Sequence, residues 1–235
     1  MKRMPVISSF GLYGIALVAL ALVCGFVSCG GGGSPEMPLL AVSDFGSGRA
    51  EGWRPNDPAN WRVAERDGEM VYELIAPGAQ GTIRAPASWS VWEGREVTSF
   101  ELTGRLRCDT DPANPYRDMC VVFHFQDPAH FYYVHFAASS DGVHNIIGLV
   151  DGADRVKINA EPAGASTARL TDREWHAFKV SWDARTGDIR AWLDDMAEPI
   201  LTARDRTIGR GLVGVGSFDD TGAFAGLALR GIRAE

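Results

Sequence analysis

Between residues 39 and 235 the apolar side chains recur at every second position in short runs, and Gly, Pro, Asn and Asp separate one run from the next. A period of two is that of a half-buried β-strand, and no long stretch keeps the 3.6-residue period of a helix. The run 99–108 alternates most cleanly. Phe100, Leu102, Leu106 and Cys108 point one way, and Glu101, Thr103, Arg105 and Arg107 the other. Residues 71–75 form a further strand. Three hairpins follow: 120–126 with 131–138, 144–151 with 155–160, and 175–183 with 188–194. Strands 211–218 and 224–232 close the chain. Many short strands punctuated by turn residues predict one all-β domain, an antiparallel two-sheet β-sandwich.

The first 38 residues follow a different pattern. Lys2 and Arg3 precede an uncharged stretch rich in Ala, Leu and Val that ends in Phe26-Val27-Ser28-Cys29. A basic start, an apolar middle and small residues before a cysteine are the marks of a secretory signal. The end resembles a bacterial lipobox, with Cys29 as the lipidated mature N-terminus; Cys24 is a weaker alternative, behind the bulkier Val23. An uncleaved membrane anchor is the competing reading, since the apolar stretch approaches the ~20 residues needed to span. Gly30-Gly31-Gly32-Gly33-Ser34-Pro35 is a flexible tether. The expected organisation is a lipoprotein signal over 1–28, a tether over 29–38 and a single domain over 39–235. It places the domain in the cell envelope. Gly30 after Cys29 favours the outer membrane, and the lipid alone touches the bilayer.

Removing residues 1–28 takes away two cations and no anion, so the net charge moves from −7 to −9. With no basic run, nucleic acid is not an expected partner. Cys108 and Cys120 bracket a polar loop, and in an oxidising compartment they are expected to form a disulfide. Two buried free thiols are the alternative. No zinc, phosphate-loop or Ser-His-Asp signature is present, and no cofactor is expected. Asp219-Asp220 with Asp44 could ligate a structural calcium, although paired aspartates also make ordinary solvated turns.

Several segments, taken in order, resemble the concanavalin A-like lectin/glucanase superfamily. Asp44-Phe45, Gly52-Trp53, Trp61-x-Val63 and Gly68 are similar to the opening of those jelly rolls. Phe123-x-Phe125-Gln126-Asp127-Pro128 with Phe131-Tyr132-Tyr133-Val134 resembles a family hairpin. So do Trp175-His176-x-Phe178-Lys179-Val180 with Gly187-x-Ile189-x-Ala191-Trp192-Leu193-Asp194, and Gly211-x-Val213-Gly214-Val215-Gly216. The nearest branches are laminin-G-like domains and the 3-keto-disaccharide hydrolase family. The resemblance implies a concanavalin A-like jelly roll whose concave sheet or rim loops hold sugar. Fold alone does not give function, so the residues must carry the argument.

A hairpin turn centred on Pro128-Ala129 pairs Gln126 with Phe131, His124 with Tyr133 and Val122 with His135. Those six then share one face, opposite the apolar face of Val121, Phe123, Phe125, Tyr132, Val134 and Phe136. If strand 99–108 lies in the same sheet, that face also gains Glu101, Arg105 and Arg107. The candidate saccharide-binding set is therefore Glu101, Arg105, Arg107, His124, Gln126, Tyr133 and His135. Planar groups stack on sugar rings, fixed donors and acceptors read hydroxyls, and arginine suits a uronate or sulfate. If Cys108 instead faces Cys120 in one sheet, parity turns His124 toward Leu102 and Leu106 unless a bulge intervenes near Met119-Cys120. The bland alternative is a solvated sheet face. The other tryptophans read as packing, whereas Trp89 and Trp92 read as loop residues open to solvent.

Glu101 has no acidic partner at i+2 or i+4, so the paired glutamates of a glucanase strand are missing. Arg, Gln, His and Tyr match the residue types of a jelly-roll polysaccharide lyase, without its signatures. The expected function is binding of a polysaccharide or glycan. The enzymatic alternative is a 3-keto-disaccharide hydrolase-like glycoside hydrolase or a lyase. The third reading is a structural or protein-interaction surface domain.

Overall fold

A computed structural model describes residues 37–160 and 169–235, which form one compact unit. The signal, the Cys29 lipobox and the glycine run fall on residues 1–36, outside the described residues. The strands in chain order are β1 (Leu39–Ser43), β2 (Trp53–Pro55), β3 (Trp61–Arg66), β4 (Glu69–Leu74) and β5 (Ser88–Trp92). Next come β6 (Val97–Cys108), β7 (Asp118–Asp127), β8 (His130–Ala137), β9 (Ile146–Asp151) and β10 (Val156–Lys157). The last five are β11 (His176–Trp182), β12 (Asp188–Leu193), β13 (Leu201–Arg204), β14 (Leu212–Ser217) and β15 (Gly222–Arg233).

They build two antiparallel sheets. Sheet A has the order β13-β12-β11-β6-β15-β4-β3, with β1 also on β15; sheet B has the order β10-β9-β8-β7-β14-β5-β2. The core between them is built by alternation. From sheet A come Phe100, Leu102 and Leu106 of β6 and Phe178, Val180 and Trp182 of β11. From sheet B come Val121 and Phe123 of β7 and Tyr132, Val134 and Phe136 of β8. Each of these large side chains is nearly solvent-free, worth roughly 1.5–3 kcal/mol of burial apiece. Gly104 breaks the alternation of β6 because a Cβ there would stand 2.5 Å from Leu227 Cδ2, which occupies its place.

The predicted strands are present, some shortened at their ends, and the sequence reading omitted β1, β2, β3, β5 and β13. The omitted strands are mostly short or on sheet edges. Trp89 and Trp92 correct the loop expectation: they lie in β5 and are buried. Trp92 stacks on Trp53 at 5.0 Å, and Trp89 packs on Phe125 at 4.6 Å.

The disulfide expectation is also corrected. β6 belongs to sheet A and β7 to sheet B, so Cys108 and Cys120 are not partners across one loop base. Cys108 points into the inter-sheet core and Cys120 to the outer face of sheet B; both are free and buried.

Candidate functional site

The placement of β6 and β7 in different sheets divides the predicted saccharide face in two. Glu101, Arg105 and Arg107 lie on the outer face of sheet A. There Arg105 donates to Glu69 and covers Trp175, with its guanidinium carbon 5.5 Å from the ring centre. Arg107 Nε donates to Asp109 at 3.0 Å. Glu101 lies between Ser181 and Arg230 on the neighbouring strands.

The hairpin register differs from the expected one as well. Val122 pairs with Tyr133 and Cys120 with His135, while Asp127 pairs with His130. Residues 124–126 therefore oppose Phe131 alone, in a bulge. The bulge lies beyond Phe123 rather than near Cys120. His124 adopts a left-handed backbone, φ 46°, and turns its ring inward against Trp182 at 4.4 Å. Its Nδ1 lies 2.9 Å from Ile208 O and its Nε2 3.0 Å from Thr98 O. Burial pushes this imidazole below its usual range, against the two carbonyl contacts that favour the charged form. His124 thus joins the core. Gln126 is exposed at the hairpin end, where Nε2 donates to Arg210 O at 3.2 Å.

Tyr133 and His135 do share a face, the outer face of sheet B, but that face is not open to solvent. Residues 75–87 run across it as a strap. Arg84 N donates to Asp154 Oδ1 at 2.7 Å, Arg155 N donates to Arg84 O at 3.0 Å, and Gly78 N donates to Ser88 Oγ at 2.7 Å. Ile83 and Ala85 of the strap pack on Val122, Phe125, Phe131, Tyr133 and Phe218 as a second apolar cluster. Gly148 is required under it: a Cβ there would stand 2.3 Å from the Tyr133 ring.

The strap leaves one cleft on this face, about 310 Å³, lined by Arg84, Tyr116, Asp118, His135, His144, Arg155, Phe218 and Asp219. That is the small end of the ~300–1,000 Å³ range of ligand sites, room for about one sugar ring. The Arg84 and Arg155 guanidinium carbons stand 5.2 and 4.6 Å from the Phe218 ring centre. Tyr116, with 60% of its surface exposed, stacks on His144 at 5.2 Å on the rim. Arg155 Nη1 is buried without a hydrogen-bond partner, and so is Tyr133 Oη just beneath. Burial also pushes the Tyr133 phenol well above its usual range. A second cleft of about 440 Å³, between Glu93 and Arg233, is lined largely by exposed residues near the C-terminus and holds no such atoms among the described residues.

Asp118 anchors the floor. Its Oδ1 accepts from Ser217 Oγ at 3.0 Å, and its Oδ2 from Phe218 N at 3.1 Å and Cys120 Sγ at 3.3 Å. Burial alone would raise this carboxyl, but His135 and these donors hold it below its ordinary value. Burial pushes the neighbouring Asp220 up to about 7. Burial and the Asp118 carboxylate push the Cys120 thiol well above its usual value. Among the described residues, two donor sets could hold a metal: Asp118 with Cys120 and His135, and Asp118 with Asp219 and Asp220. Asp219 and Asp220 thus meet Asp118 rather than Asp44, whose carboxylate accepts from Gly46 N in its own turn at 2.9 Å.

Of the seven predicted site residues, only His135 lines the cleft, and Tyr133 lies under it. Sequence reasoning missed Arg84, Tyr116, Asp118, His144, Arg155 and Phe218 as a group. They come from segments far apart in the chain, mostly loops, where no periodicity marks them. Asp118 carried one signal, as a charged residue next to a strand that is otherwise apolar.

No family model and no curated protein matches the chain. Solved structures do resemble it. A carbohydrate-binding module of family 66 from Bacillus subtilis is 14% identical with a TM-score of 0.51, over 76% of this chain and 95% of that one. A Bacillus subtilis protein with a galectin-like fold is 11% identical with a TM-score of 0.54, over 85% and 99%. A Bacteroides ovatus glycoside hydrolase of family 16, solved with an oligosaccharide product, is 11% identical with a TM-score of 0.53, over 80% and 99%. At these identities the likeness establishes the fold, a concanavalin A-like jelly roll.

Proposed function

We propose that this chain is a cell-envelope domain, tethered through a lipid on Cys29 after loss of residues 1–28, that engages a saccharide in the cleft on the outer face of sheet B. The observation that carries the reading is the convergence there of planar groups (Tyr116, His144, Phe218) with fixed polar ones (Asp118, Asp219, Arg84, Arg155), one guanidinium nitrogen of which is buried without a partner. Stacking surface plus oriented donors and acceptors is the chemistry of sugar recognition. Two arginines favour an acidic sugar bearing a carboxylate or sulfate. The carbohydrate-binding module and the glycoside hydrolase of the same fold lend support to a saccharide ligand.

A second reading is cleavage of that saccharide, for which the cleft offers carboxylates: Asp118, Asp219 and Asp220 each place an oxygen within 4.8 Å of the others, and glycosidases work with a pair of carboxyl groups.

Both readings are tested by screening the full chain against neutral and acidic glycans with product analysis of every hit. Shortened or unsaturated products, lost in Asp219→Asn, support cleavage. Binding without products supports a lectin-like module. No binding to any glycan, or hits indifferent to Arg155→Ala, would overturn the saccharide reading.

A further inference from the structure

The buried floor of the cleft carries a second kind of chemistry. His135 Nδ1 lies 2.8 Å from Val143 O. A carbonyl can only accept, so Nδ1 carries the proton, and the other ring nitrogen is left to face Asp118. His135 Nε2 stands 3.1 Å from Asp118 Oδ2. A cation held between these two atoms would meet a third donor close by, since Asp118, Cys120 and His135 each offer an atom within 4.8 Å of the others. Cys120 Sγ lies 3.3 Å from the same oxygen. Asp118 and Cys120 are fully buried and His135 is 3% exposed.

The geometry points to a transition-metal site formed by Asp118 Oδ2, Cys120 Sγ and His135 Nε2, of the kind that holds Zn²⁺, with its open coordination position facing the cleft. The distances fit. Zinc bonds of about 2.0 Å to nitrogen or oxygen and 2.3 Å to sulfur, at tetrahedral angles, separate neighbouring ligand atoms by roughly 3.3–3.5 Å. The donor types fit as well: thiolate with imidazole selects zinc-like ions over calcium or magnesium. The hydrogen bond from His135 Nδ1 to Val143 O is the outer-shell contact that fixes the tautomer of a ligating histidine. Asp118 and His135 line the cleft, whereas Cys120 lies beneath it, so an ion there is reached from the cleft side. As the ion enters, the Cys120 thiol releases to solvent, through the cleft, the proton it now directs at Asp118, and the metal takes that proton's place. This inference rests on the cluster alone and does not depend on a saccharide ligand.

The test is titration of the full chain, thiols reduced, with Zn²⁺ and with Co²⁺ alone. Near-stoichiometric binding is expected, and Co²⁺ should give a near-ultraviolet thiolate-to-cobalt charge-transfer band. Cys120→Ser should abolish that band. It and His135→Gln should each weaken Zn²⁺ binding by more than about 100-fold, beyond the 10–100-fold effect of outer-shell changes. Cys24→Ser, Cys29→Ser and Cys108→Ser, which together remove the other three thiols, should leave both readouts intact. The unaltered chain decides the matter even if a variant does not fold: no stoichiometric metal, or cobalt bound without the thiolate band, overturns the site. A band that survives Cys120→Ser overturns it equally.

Discussion

The two outer faces of the sandwich handle polar groups in opposite ways. On sheet A the charges are many and matched. Glu73, with its side chain 3% exposed, takes both Arg62 and Arg66; Arg66 also meets Asp109 at 2.7 Å, and Arg107 shares Asp109. The Asp109 carboxylate, with Glu73, raises the Arg66 guanidinium above its ordinary value. On sheet B the charges are few, and three buried atoms of the Tyr133, His135 and Arg155 side chains lack a hydrogen bond, against Trp192 Nε1 on sheet A. Leaving a buried polar atom unpaired costs roughly 1–3 kcal/mol, so such atoms mark a face built for something other than stability. The face richest in charge is thus the more settled one, and the sealed face is where the proposed site lies.

This contrast can be broken most severely at the strap. Tyr133→Ala should cost about 3–5 kcal/mol, as for other large aromatics in a packed core. Gly148→Ala, which drives a methyl into the Tyr133 ring, should cost about 1–3 kcal/mol by overpacking. Chemical denaturation of the full chain measures both. If both changes cost less than 0.5 kcal/mol, roughly the scale of a neutral surface change, the strap is not packed as described.

The next effect is one of pH and separates the core from both faces. Burial lowers the His124 imidazole, so its folded pKa lies below the unfolded value of about 6.5. Above that value the folded state loses nothing. As pH falls through and below it, the unfolded chain takes up a proton that the folded chain refuses, and stability falls. Denaturation midpoints from pH 7.5 down to 5 should show this loss, and His124→Gln should flatten it. A midpoint that rises on acidification would mean that the two carbonyls hold a charged ring.

The smallest effect belongs to sheet A. Arg105 and its partner Glu69 are each around 40% exposed at the side chain, so Arg105→Ala should cost no more than about 1 kcal/mol after solvent screening. A loss of several kcal/mol would make this face more than a solvated ion-pair surface.

Much of the fold was legible in the sequence because alternation is local. The two sets of β6 were read correctly, as was the common face of Val122, Tyr133 and His135. What failed was non-local. Nothing in the run 99–108 says that β6 joins β11 and β15 rather than β7, and that choice moved Arg105 and Arg107 to the opposite surface and separated the cysteines. The bulge at residues 124–126 was foreseen as a possibility but misplaced, and it took His124 into the core. The cleft was illegible for a different reason: Arg84, Tyr116, Arg155 and Phe218 are brought together by the strap and by turns, where spacing along the chain carries no geometry.

The most direct test of which face matters is to measure acidic-saccharide binding for Arg155→Ala and Arg105→Ala side by side, in the full chain. Loss of a charged hydrogen bond worth roughly 1.5–3 kcal/mol predicts binding weakened about 10- to 100-fold in Arg155→Ala and unchanged in Arg105→Ala. The reverse pattern, binding lost with Arg105 and retained without Arg155, would put the site on sheet A and contradict the account.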